Sequence, residues 1–156
     1  MSIHSVKAQF DTENWSLEVI EFKVSTATVE LAAEALGVEP GRIAKTMALR
    51  LKDRDILVLA KGDARLDNKK FKAAFGTKAK FVKSEDVEGI TGHPIGGVCP
   101  FGLIQPLDVY LDSSLKVYDV VYPAGGTPSS AVKIDLDTLE KITRSQWTDV
   151  CAGAID

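Results

Sequence analysis

The chain has 156 residues, 45% of them hydrophobic, and a net charge of −3 at neutral pH. That length fits one globular domain, residues 1–156, which buries roughly 70% of its unfolded surface and needs no disulfide or metal staples. Two cysteines, Cys99 and Cys151, are too few for a disulfide framework; residues Met1–Lys7 lack the apolar core of a secretion signal, and no stretch has the apolar length of a membrane span. A cytoplasmic protein with reduced thiols and no membrane partner is therefore expected.

His4 falls in an expected N-terminal helix. Val29, Ala32, Ala33 and Leu36 recur at helical spacing within Thr26–Leu36, with Ser25 or Thr26 as the cap and Gly37 as a left-handed end. Met47–Leu51 and Asp55–Ala60 read as two strands joined by a turn at Lys52-Asp53-Arg54. Asp67 is placed to cap a helix over Asn68–Phe75, with Leu66 stapled onto Phe71 and Gly76 closing it. A short helix, Glu85–Glu88, follows Ser84. Next comes Thr91–Gly102, an uncharged stretch with four glycines, two prolines, His93 and Cys99. So many breakers predict a loop that brings its backbone close to something. Beyond it, Val109–Leu111, Val117–Tyr122 and Ala131–Ile134 read as strands. Asp135 or Asp137 caps a last helix, Asp137-Thr138-Leu139-Glu140 having capping-box form. Hairpin-linked strands interspersed with helices predict an α/β (α+β) domain with a mixed sheet.

Charge is unevenly spread. Between Arg42 and Lys83 there are thirteen Lys and Arg against four Asp, whereas the remainder holds six basic residues against eighteen acidic ones. A basic central third suits either a polyanionic partner or a solvated lysine-rich face.

Conventional catalytic sets are missing. A Ser-His-Asp triad would have to use His93, yet no Gly-x-Ser-x-Gly elbow is present. His93 and Cys99 lack the partners of a zinc site, and neither a phosphate-binding Walker loop nor a dinucleotide fingerprint occurs. Lys45 remains, flanked by apolar residues at the start of an expected buried strand. It either snorkels to the surface or is held to grip a phosphate or carboxylate.

Three ordered segments carry a family resemblance over roughly residues 2–143. They are Val24–Val29 leading into Ala32–Val38 with Ile43-Ala44-Lys45-Thr46, then Gly96–Gly102, then Gly125-Gly126 with Ser129-Ser130 and Val132–Asp135. The chain resembles the YbaK/prolyl-tRNA-synthetase-associated domain family. The resemblance implies a mixed, mostly antiparallel curved sheet or partial barrel with surrounding helices. It also implies a trans-acting hydrolase for the ester of a mischarged, proline-accepting tRNA, with no cofactor or metal and with a synthetase as a candidate partner. Lys45 would contact the phosphate at the 3′-terminal adenosine, and the amides around Gly96 and Gly97 would face the scissile ester. Thr26, Thr46, His93, Cys99, Pro100, Phe101, Gly102, Gly125 and Ser129, in or beside these segments, would surround the substrate.

The bottom-up chemistry agrees with that assignment. An aminoacyl ester is already activated, so its hydrolysis needs a positioned water and donors for the developing oxyanion. Arg50, Lys52, Lys69, Lys70 and Lys72 would track the acceptor-stem phosphates. Cys99-Pro100-Phe101-Gly102 departs from the Ser-Pro-Ile-Gly-like segment associated with cysteine editing, which leaves alanine, serine or a non-protein amino acid open. Phe101 would narrow the pocket or sit beneath it as core, and apolar neighbours would quench Cys99 as a nucleophile. A binding module that holds tRNA or an aminoacyl-adenosine-like ligand without turnover is the alternative reading.

Overall fold

The structure, a computed structural model, describes residues 2–152. It begins with helix α1 (Ser2–Thr12), strand β1 (Val19–Glu21) and helix α2 (Val29–Leu36). Helix α2 starts later than the apolar spacing suggests, because neither Ser25 nor Thr26 is free to cap it. Ser25 Oγ accepts from the Ala27 N–H at 3.2 Å, and the buried Thr26 hydroxyl donates to the Ser130 carbonyl at 3.4 Å. Thr28 caps instead, accepting from the Leu31 N–H at 3.2 Å, and Gly37 ends the helix in the left-handed region at φ 71°.

Strands β2 (Ala44–Arg50) and β3 (Asp55–Lys61) form the expected hairpin. After β4 (Arg65–Leu66) comes α3 (Asn68–Phe75), capped by the Asp67 carboxylate on the Lys69 and Lys70 N–H groups. Helix α4 (Ser84–Thr91) outlasts the expected Glu85–Glu88 turn and stops only where Gly92 turns left-handed at φ 83°. Ser84 lies inside it, and Lys83 occupies the cap position without a side-chain hydrogen bond.

Strand β5 (Asp108–Asp112) is followed by β6 (Val120–Val121), β7 (Ser130–Val132) and β8 (Ile134–Asp135). Helix α5 (Leu136–Thr143), β9 (Gln146–Thr148) and β10 (Cys151–Ala152) complete the order. The expected Val117–Tyr122 strand shrinks to β6. Asp112 accepts a hydrogen bond from the Ser114 N–H and winds Ser113–Val117 into a 3-10 helix. Asp135, not Asp137, caps α5 through the Thr138 N–H.

The main sheet runs β2-β3-β5-β9, antiparallel at β2/β3 and parallel at the other two junctions. Three antiparallel pairs, β1/β7, β4/β10 and β6/β8, make the architecture mixed and mostly antiparallel, with the helices packed around it. Strand β3 is its axis, since residues 56–60 are all fully buried. Their period-two alternation divides the interior. Leu57 and Leu59 face a large core with Val6, Phe10, Phe101 and Leu111, while Ile56, Val58 and Ala60 face a smaller one with Phe71 and Val150.

The glycine- and proline-rich segment is bolted to the larger core. Gly102 (φ 58°) lies so close to α1 that a Cβ there would sit 2.5 Å from Ser5 C and Val6 N, and its own N–H donates to Gln9 Oε1 at 2.7 Å. The Phe101 ring meets Phe10 edge-on at 5.1 Å, and burial pushes the Cys99 thiol up to about 12. His93 Nε2 lies 2.6 Å from the Phe101 carbonyl. A carbonyl only accepts, so Nε2 carries the proton and Nδ1, buried without a partner among the described residues, is bare. A second proton would bury a charge, and that desolvation holds the His93 pKa below its ordinary value.

Gly102→Ala should lower stability by roughly 2–4 kcal/mol, combining a backbone clash with left-handed strain, as read by urea denaturation. His93 gives a pH dependence whose sign follows from linkage. Below the usual imidazole value of about 6.5 the unfolded chain binds a proton that the folded chain refuses. Stability is therefore full above that value and declines as the pH falls through it. The urea midpoint should drop between about pH 7.5 and pH 5.5, and in His93→Gln this part of the slope should vanish.

Candidate functional site

The site arises from an interrupted strand edge. In the β2/β3 register, Lys45, Met47 and Leu49 turn their main-chain groups towards β3, so those of Ala44, Thr46, Ala48 and Arg50 point outward. At one end the Ala44 N–H donates to the Tyr122 carbonyl at 3.1 Å. At the other, the Ala48 carbonyl accepts from the Val82 N–H at 3.0 Å and the Arg50 N–H donates to the Lys80 carbonyl at 2.7 Å. Between them nothing pairs among the described residues. Past Tyr122 the chain swings away so that Ala124 bridges Ala131, and past Val82 it enters α4. Among the described residues, the outward N–H and C=O of Thr46 have no hydrogen-bond partner.

A cavity of about 440 Å³ lies along this gap. Residues 43–48 of β2 form its floor, and residues 26–29, Gly96, Val98, Pro123 and Ala124 contribute its walls. Small side chains at Ala44, Thr46 and Ala48, all on one face, leave the room. Phe81 and Ile95 also line it and are largely exposed, at 59% and 57%. Sequence reasoning missed these two. Their signal was a large apolar residue bounded by lysines (Lys80, Phe81, Lys83) and an isoleucine amid glycines.

Lys45 is among the residues that line the cavity. Its side chain shares a face with Met47, and Nζ donates to the Ala64 carbonyl. Burial lowers its pKa, while Cys151, Asp63 and Glu30 pull the other way. The ammonium is thus partly desolvated and, among the described residues, held by one neutral acceptor, a state suited to gripping an anion.

The glycine loop lies across the gap but divides its tasks differently from expectation. Gly97 donates its N–H to the Pro94 carbonyl at 2.9 Å, closing a turn in which Gly96 has φ 89°. That N–H is consumed, so Gly97 offers no free amide to an ester. What Gly97 provides is proximity: a Cβ there would stand 2.7 Å from the Thr127 backbone. Gly96 lines the cavity, and among the described residues its N–H makes no hydrogen bond.

Thr26 and Thr46 line the same cavity as Lys45 and Gly96. His93, Cys99 and Phe101 do not: they are buried in the core, which assigns Phe101 to the packing role. Pro100 and Gly102 border a separate depression beside Gln9 and Ile142. Gly125 and Ser129 flank the cavity-lining Ser130 without lining it themselves. Among the basic residues, Arg50 is paired with Asp55 at 2.9 Å and Lys70 with Asp149 at 3.1 Å. Lys52, Lys69 and Lys72 are exposed and make no ion pair among the described residues. Among those residues, too, no group of three or more His, Cys, Asp or Glu side chains is placed to hold a metal ion, and no helix is long and apolar enough to cross a membrane.

Comparison with known proteins places these features in a wider set. The chain is 46% identical over 153 residues to YwhH of Bacillus subtilis, covering 97% of this chain and 98% of that protein. It is 27% identical to EbsC of Enterococcus faecalis, described as a candidate Cys-tRNA(Pro)/Cys-tRNA(Cys) deacylase, over 79% of this chain and 76% of EbsC. A crystal structure described as a candidate trans-editing enzyme for prolyl-tRNA synthetase superposes with a TM-score of 0.89 at 35% identity, covering 97% of this chain and 98% of that one. Residues 23–142, which contain β2, the glycine loop and β7, match the aminoacyl-tRNA editing domain, and the chain belongs to that family.

Proposed function

We propose that this chain, acting as a single domain over residues 1–156 in the cytoplasm, is a trans-acting aminoacyl-tRNA deacylase. It removes a wrong amino acid from tRNA, with the proline acceptor as first candidate because the relatives' names point to that tRNA and its synthetase. The observation that carries the reading is the cavity on the β2 edge, where Lys45, Thr46 and the Gly96 amide meet. Lys45 takes the phosphate of the terminal nucleotide in exchange for its single carbonyl partner.

Hydrolysis then needs little else. A water oxygen adds to the ester carbonyl carbon, the carbonyl oxygen becomes an oxyanion, and the Gly96 N–H supports it. Collapse breaks the bond to the ribose oxygen, which takes up the proton released by the added water, leaving free amino acid and a tRNA with its terminal hydroxyl restored. Lys52, Lys69 and Lys72 hold acceptor-stem phosphates, and Arg50 and Lys70 contribute less because carboxylates already engage them.

The test is deacylation of alanyl-, cysteinyl- and seryl-tRNA of the proline acceptor. Wild type should clear at least one, and Lys45→Ala should lower kcat/KM about 10- to 100-fold, the worth of one charge-assisted hydrogen bond. Tight tRNA binding with every ester intact would instead identify a binding module. The depressed Lys45 pKa sets a second expectation. Raising the pH removes the ammonium earlier than for an ordinary lysine. Affinity for uncharged product tRNA should therefore fall on the alkaline side below the usual lysine value, and Lys45→Arg should move that fall to higher pH.

A further inference from the structure

Four main-chain groups of β2 border the gap: the Ala44 C=O, the Thr46 N–H and C=O, and the Ala48 N–H. Strand pairing resumes at both ends, at Tyr122 and at Val82. Thr46 is therefore the one ladder residue of β2 open on both groups, with Ala44 and Ala48 each open on one. Its side chain does not close the opening, since Oγ1 is buried and, among the described residues, has no hydrogen-bond partner. An unpaired strand edge is a template for extended main chain. In an antiparallel ladder, two facing residues exchange both N–H···O bonds, and an α-amino acid esterified through its carboxyl has one nitrogen and one carbonyl at that spacing.

We propose that the main chain of Thr46 reads the α-amino acid itself. Resting on the deacylase reading above, the inference assigns the substrate the place of one missing strand residue. Its α-ammonium donates to the Thr46 C=O, and its ester carbonyl accepts from the Thr46 N–H. When water adds to the carbonyl carbon, that oxygen gains charge and the Thr46 N–H stabilises it, the second donor that Gly97 does not supply. The substrate class is then an ester with a free α-amino group. An N-acylated or peptidyl ester brings an amide in place of the ammonium and an acyl group directed along β2 towards Ala48, where the ladder filled at Val82 does not admit it. Recognition is independent of the side chain, which leaves the choice among small amino acids to the cavity walls.

Thr46→Pro tests the amide directly. The Thr46 N–H points away from β3, so proline removes it without breaking a ladder bond, as edge positions tolerate. Thr46→Val also loses the hydroxyl but keeps the N–H, so the ratio of the two variants isolates the amide. On the ester that wild type clears best, kcat/KM for Thr46→Pro should lie about 10²- to 10³-fold below that for Thr46→Val. Wild type should hydrolyse the N-acetylated form of the same aminoacyl-tRNA at least about tenfold more slowly than the free amine. A ratio near one in a folded Thr46→Pro protein, or equal rates on the two substrates, overturns the inference and leaves the deacylase reading intact. Should Thr46→Pro show no cooperative melting transition, the wild-type comparison of free and acetylated esters decides alone. No turnover of any ester by wild type overturns the deacylase reading, and this inference with it.

Discussion

Strand β2 must pair with β3 along its whole length, yet on its other side two different segments take only its ends. Tyr122 binds near Ala44, and residues 80–82 bind from Ala48 to Arg50, and each then departs on business of its own. One segment joins β7 and the other becomes α4. A strand whose outer neighbours diverge leaves polar backbone facing space, which is unfavourable inside a folded protein unless something fills it. The cavity, the approach of Lys45 to its rim and the passage of the glycine loop above it are all arranged around that vacancy.

The loop is a structural clamp with one face turned to the site. Its far end is fixed by contacts that leave no freedom: Gly102 against α1, Phe101 on Phe10, and a neutral imidazole held on the Phe101 carbonyl. Its near end touches the Thr127 backbone through Gly97. Rigid attachment at both ends presents Gly96 at a set position over β2. Preorganisation of this kind is what a main-chain donor needs to stabilise developing charge without reorganising.

Much of this was legible in the residues, and the failures have physical causes. Asp67, Gly37 and Gly76 announced their helix ends because caps depend on local chemistry. Lys45 stood out since an ammonium beside a buried strand needs a reason. Thr26 misled as a cap because its hydroxyl is claimed by Ser130, far along the chain. His93 and Cys99 are expected at the site only through the family resemblance, and tertiary packing places them in the core. The glycines read as bringing backbone amides close to a substrate. Gly97 and Gly102 make room for other backbone, a distinction that spacing does not encode. The open edge of β2 was invisible too, because strand pairing partners are set by topology rather than by composition.

The two cysteines lie in different halves of the interior, Cys99 with the larger core and Cys151 with the smaller. Both thiols are free, and burial raises each to about 12. Alkylation requires an exposed thiolate, so neither reacts from the closed protein. The chain thereby carries a pair of natural clocks: the rate at which each sulfur becomes alkylated reports how often its own side of the sheet opens. If the halves breathe independently, the two clocks run at different speeds, and a ligand seated on the edge of β2 slows whichever half it braces.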